Sequence, residues 1–139
     1  MAKKKTEKQK AKDKAWEAFS KYIRYRDCLS TTGTLTEGSC VTCKRRYSFN
    51  DLQAGHFIPG RNNAVLFDEQ GVHAQCKGCN LFKGGAVHEY WLFMEETYGR
   101  EVIDAMITKR HTTVKMSLLD YQNIVETYNN KTKALTMNA

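Results

Sequence analysis

The stretch CVTCKRRYSFNDLQAGHFIPGRNNAVLFDEQGVHAQCKGCNLFK, residues 40–83, decides the fold. It carries two Cys-x-x-Cys pairs, Cys40 with Cys43 and Cys76 with Cys79, and 32 residues that leave the first pair and return at the second. Thiolate is the soft ligand zinc prefers, and four of them close a tetrahedral shell, so the spacing predicts a structural zinc site rather than a catalytic one. Zinc would then supply folding free energy to a loop-rich segment with little core of its own. Between the pairs, Phe49, Leu52, His56, Phe57 and Ile58 lean towards a strand that Pro59-Gly60 ends. A polar turn at Arg61-Asn62-Asn63 follows, and Val72 to Gln75 reads as the strand that returns to the second pair. Asn80 to Lys83 is expected to open a short helix, broken at Gly84-Gly85.

Outside this stretch the apolar residues keep helical time. Trp16, Phe19, Tyr22 and Ile23 fall on one face of a helix expected over Lys14 to Arg26, an aromatic stripe suited to core packing. Residues 27–39, rich in Thr, Ser and Gly, are expected to connect it to the first pair. Downstream, Tyr90, Trp91, Met94 and Tyr98 form a stripe that stops at Gly99, a helix-ending position. Val102, Ile103, Met106 and Ile107 mark a second helix ending at Lys109-Arg110. Ser117 and Asp120 look like a capping box before a third, carried by Leu118, Tyr121, Ile124, Val125 and Tyr128. The domain reading is a basic tail over 1–14, one domain over 15–128 and a frayed end over 129–139, with residues 1 to about 12 lacking any apolar period.

The chain has 139 residues, 41% of them hydrophobic, which suits one domain. Its net charge of +7 is carried by residues 1–26, where ten Lys or Arg face Glu7, Asp13 and Glu17, so the rest sums to zero. Within 40–83, Lys44, Arg45, Arg46, Arg61, Lys77 and Lys83 outnumber Asp51, Asp68 and Glu69. A basic arm and a basic metal core suit a polyanion partner, because neutralised phosphates release counterions; a solubilising tail is the other reading of the first 14 residues. No apolar run reaches the length of a membrane span, and no apolar segment follows the basic start as in a secretory leader. The expectation is a cytoplasmic protein with no membrane partner. Cys28, the fifth cysteine, is expected to be a small buried hydrophobe.

The run Gln53-Ala54-Gly55-His56, together with Gln75-Cys76-Lys77-Gly78-Cys79-Asn80, resembles the zinc-bound HNH (ββα-metal) nucleases and most of all the phage NinG recombination protein family. Tyr22 to Asp27 upstream, and Glu89, Tyr90, Tyr98 and Gly99 downstream, extend the resemblance over roughly residues 20 to 110. The resemblance implies an α+β fold, with a zinc-stapled ββα-metal core between a basic N-terminal helix and C-terminal helices. It implies a metal-dependent endonuclease acting on branched DNA such as D-loops and Holliday junctions, with recombination proteins as partners and a homodimer as one assembly. His56 is then the general base, a task suited to imidazole with its ordinary pKa of about 6.5.

Asn80 would ligate a catalytic Mg²⁺ or Mn²⁺ through its carboxamide oxygen, together with His56 or a neighbour, unless it is a helix N-cap. Gly55 and Gly71 stand where HNH enzymes carry a metal-binding acid and an asparagine. His73 is the expected substitute, with Asn62, Asn63, His88 and Glu89 as further candidates. Lys44, Arg45, Arg46, Arg61, Lys77 and Lys83 would hold the DNA backbone. Two other classes fit the same residues: a zinc-stabilised DNA-binding module without activity, and an adaptor protein of a phage or mobile element.

Overall fold

Thr6 and Gln9 set where the first helix begins. The computed structural model describes residues 3–60 and 62–138. The Thr6 hydroxyl accepts from the Gln9 amide at 3.1 Å and the Gln9 side chain accepts from the Thr6 amide at 2.9 Å, a reciprocal cap for helix α1 (Glu7–Thr32). The helix therefore starts inside the expected basic tail, with Lys10, Ala11 and Lys14 lying beside Leu118, Gln122 and Val125 of the last helix. It also runs past Arg26, through the segment expected to be a connection. There Ser30, Thr31 and Thr32 turn their hydroxyls back onto carbonyls three or four residues earlier. Gly33, at φ 76°, ends it by donating to the Leu29 carbonyl.

Two antiparallel hairpins follow. Strand β1 (Glu37–Ser39) pairs with β2 (Arg46–Ser48), and the first Cys-x-x-Cys sits in the turn between them. Strand β3 (Leu52–His56) pairs with β4 (Val72–Cys76), Leu52 opposite Cys76 and His56 opposite Val72. Side chains alternate across a strand, so Leu52, Ala54, His56, Val72, Ala74 and Cys76 share one face and Gln53, Gly55, His73 and Gln75 the other. Helix α1 covers the first face, packing Phe19 and Ile23 on Ala54 and Val72. Helix α3 (Val87–Tyr98) approaches the second, where the buried Tyr90 hydroxyl donates to the Gly55 carbonyl at 2.7 Å. With both faces covered, all five residues of β4 are buried.

Helix α2 (Asn63–Leu66) interrupts the return segment. Its Val65 joins a core with Phe57, Ile58, Tyr90, Met94 and, from α4 (Arg100–Arg110), Ile103 and Met106. Helix α5 (Leu118–Met137) begins at the Ser117–Asp120 capping box and lies alongside α1. The start of α5 faces the start of α1, and Ala134 and Leu135 face Tyr22 and Leu29, so the two helices are parallel. The helix continues to Met137, beyond the expected fraying point at 129. Tyr128 and Lys131 hold Glu69 at 3.0 and 2.8 Å, which ties this part of α5 to the return segment. Among the described residues, no helix is long and apolar enough to cross a membrane.

Candidate metal centre and nucleic-acid interface

Each Cys-x-x-Cys pair is held by its own backbone. Lys44 takes a left-handed conformation, φ 66°, which lets its amide donate to the Cys40 carbonyl and folds the first pair into a tight knuckle. The amides of Cys76 and Cys79 donate to the sulfurs of Cys40 and Cys76 at 3.3 and 3.4 Å. All four Sγ atoms lie within 4.8 Å of one another, and Cys43 Sγ is 3.9 Å from Cys76 Sγ. A tetrahedron with zinc–sulfur bonds near 2.3 Å has edges of about 3.8 Å, so the quartet could hold a zinc ion.

The electrostatics of the bare thiols point the same way. Burial pushes Cys40 up, but the Thr42 hydroxyl and the amides of Cys43, Cys76 and Thr42 outweigh it and hold the thiol at about 6. Cys79 is pushed up to about 12, by burial first and then by Cys76 and Cys40, and Cys43 is raised by burial and by Cys40. Four crowded thiols resist ionising together, and a dication among them reverses that penalty. Cys28 stands apart, buried against Gly38 and raised to about 11 by burial.

His56 ends β3 on the face that α1 covers. Its ring stacks on Trp16, centroids 4.9 Å apart and planes at 21°. Its Nε2 lies 3.1 Å from the Leu66 carbonyl, which can only accept, so Nε2 carries a proton and donates it there. Helical spacing placed Trp16 in the α1 stripe but gave no sign that it would meet His56, because the contact depends on how the helix crosses the hairpin.

Asn80 does not cap a helix. It lies within a single π turn (Gly78–Phe82), and its side-chain amide donates to Gln53 Oε1 at 2.8 Å. Beside it, a polar cleft of about 420 Å³ runs along the edge of β3, lined by Trp16, Ser20, Arg24, Asn50, Leu52, Gln53, Ala54, Lys77 and Asn80. Arg24 was not among the site residues expected from sequence, although it stands in the basic N-terminal segment.

His73 is not part of this arrangement. It lies on the opposite hairpin face, with Nδ1 and Nε2 at 3.1 and 2.9 Å from the hydroxyls of Tyr90 and Tyr98. Burial lowers its pKa to about 4, so it is held as a neutral group in the core, away from the cleft. An acid at Gly55 would force the fully buried Gln75 to move, because a Cβ there would clash with its Oε1. Asn62 and Asn63 are also structural: Asn62 caps α2 and donates to the carbonyls of Arg110 and Thr112, and Asn63 donates to the Val114 carbonyl and the Tyr121 hydroxyl. His88 and Glu89 are exposed on α3.

The basic residues do not form one stripe. Lys77 lines the cleft, while Lys44 lines a different cavity of about 410 Å³ with Arg26, His73, Phe93 and Tyr98. Arg45 and Arg46 are exposed on the first hairpin, Arg46 lying 3.8 Å from Glu37. Lys83 is exposed just after the π turn, and Arg61 lies outside the described residues.

Paired knuckles joined through a two-stranded hairpin and enclosed by helices define an α+β protein with a cysteine quartet fit for zinc. Residues 1–138 match the family described as Bacteriophage Lambda NinG protein, and the chain belongs to that NinG family. The ninG proteins of Escherichia phage 933W and Enterobacteria phage VT2-Sa are each 29% identical over 126 residues, covering 87% of this chain and 56% of the relative. That of Enterobacteria phage H19B matches to the same extent. The chain thus spans 56% of the length of these curated relatives. No solved structure matches it.

Proposed function

We propose that the chain is a zinc-stapled endonuclease of the HNH type, hydrolysing DNA phosphodiesters, with branched recombination intermediates as substrates. The observation that carries this reading is the cleft along β3, where Arg24 and Lys77 offer two cations to a phosphate and Trp16 leads to His56. His56 acts as the general base towards the attacking water, and its Nε2–H on the Leu66 carbonyl orients the ring. Trp16 holds the other side of the ring. Arg24 and Lys77 orient the strand without reading its sequence.

A divalent ion fits the cleft poorly. Asn50, Gln53 and Asn80 supply amide oxygens, but among the described residues no carboxylate lines it, whereas Mg²⁺ sites ordinarily rest on one or two. The same deficiency favours the second reading, a DNA-binding module stapled by zinc and without chemistry.

A nicking assay on linear and branched DNA, with Mg²⁺, Mn²⁺ or neither, separates the two. The endonuclease reading expects cleavage that His56→Ala abolishes while DNA affinity and zinc content persist. Binding without cleavage under every condition would leave the module.

A further inference from the structure

We infer that Leu81 and Phe82, at the tip of the second knuckle, form an apolar wedge that enters an opened base step of DNA lying in the cleft. This rests on the DNA reading above and adds to it the element that senses helix distortion. Phe82 is 86% exposed and Leu81 59%, while Cys79, three residues before Phe82, is buried in the quartet. The chain cannot fold the pair away. The amides of Lys83 and Gly85 donate to the carbonyls of Gly78 and Cys79, and Gly84, Gly85 and Ala86 follow with φ of 57°, 89° and 49°. Three successive positive φ values turn the backbone sharply at the tip, and two of the three fall on glycine, the residue that tolerates them.

The surroundings indicate the occupant. Lys77 and Lys83 flank the pair, and no Asp or Glu occurs between Glu69 and Glu89. The wedge shares its π turn with Asn80, which lines the cleft, so a backbone held by Lys77 and Arg24 runs close to the tip. Val87 and Leu92 are also exposed, but on α3, where Glu89, Glu95 and Glu96 repel phosphate. Two projecting side chains fall far short of the roughly 800 Å² per partner of a stable protein interface. They match the apolar wedges that unstack one base step and kink a duplex. Steps already weakened by a mismatch, nick or branch cost less to open, so the wedge favours such DNA over continuous duplex.

The test compares wild type, Phe82→Ala and Phe82→Trp on linear duplex and on a three-way junction with 2-aminopurine at the branch. Wild type should raise the 2-aminopurine fluorescence and bind the junction more tightly than the duplex. Phe82→Ala should lose the fluorescence change and about tenfold in junction affinity, the scale of one stacking interaction, with little change on duplex. Phe82→Trp should restore both. Zinc content and circular dichroism should not change, since the side chain is solvent-exposed. Equal fluorescence and affinity for Phe82→Ala and wild type would overturn the wedge and leave the DNA reading standing. A wild-type dimer in sedimentation that Phe82→Ala dissociates, without effect on DNA, would assign the tip to a second copy and overturn it too. No binding of wild type to any DNA would remove the DNA reading and the wedge with it.

Discussion

His73 and Gly55 sit opposite one another on the hairpin and show how single residues carry the stability of the core. The folded pKa of His73, about 4, lies below the value near 6.5 of an unfolded chain. Between these values the unfolded state binds the extra proton, so stability is intact above pH 6.5 and falls as the pH drops towards 4, by up to about 3 kcal/mol. Urea midpoints from pH 7.5 to 4.5 should show this loss in wild type and a shallower one in His73→Gln; parallel curves would refute it. At Gly55, even one methyl group must displace the Gln75 amide, whose nitrogen is held by Thr42 and the Gly85 carbonyl at 3.1 and 2.8 Å. Gly55→Ala should cost about 1–3 kcal/mol, read as a shift in denaturant midpoint with unchanged slope. Sequence alone marked Gly55 as a missing ligand. Its real constraint, the buried Gln75 packed against it, is a tertiary contact that no local pattern announces.

At the scale of elements, the hairpin β3–β4 depends on what grips its ends. The knuckles hold one end, and the Arg26–Asp27 pair on α1 holds the return strand. Asp27 Oδ2 accepts from the Ala74 amide at 2.7 Å, and Arg26 donates to the carbonyls of Glu69 and Val72 at 2.7 and 2.9 Å. Asp27→Ala would leave a buried amide and a half-buried guanidinium without their carboxylate, so a loss of about 2–3 kcal/mol is expected in thermal or urea unfolding. A strong chelator should melt the knuckles and hairpin, with circular dichroism and metal analysis reporting together; an unchanged melt would rule out zinc as a staple. Helices α3, α4 and α5 could be read from apolar spacing and their end signals, because those signals are local. The last turns of α1 could not, since Ser and Thr ordinarily suit loops and only the folded chain shows their hydroxyls bonded back along the helix. The cysteine quartet was legible from spacing, while the Trp16–His56 stack and the Arg24–Lys77 cleft required the crossing of α1 over the hairpin.

For the molecule as a whole, charge and topology each have a consequence. The N-terminal lysines sit at the start of a capped helix, so glutamine substitutions test them more cleanly than a deletion that would remove its first turns. Replacing Lys3, Lys4 and Lys8 by Gln should flatten the dependence of log DNA affinity on log salt, by about 0.9 for each phosphate the arm ceases to neutralise. An unchanged slope would make the arm a solubility device. The parallel pairing of α1 with α5 bears on how the protein is made. The ribosome delivers α1 first, yet Tyr128, which closes edge-on over Phe19 with ring centroids 4.8 Å apart, arrives roughly a hundred residues later, a wait on the order of 5–20 s at about 5–20 residues per second. Through that interval the part of the nascent helix that Tyr128 closes is uncovered, the period in which a host chaperone would have something to hold.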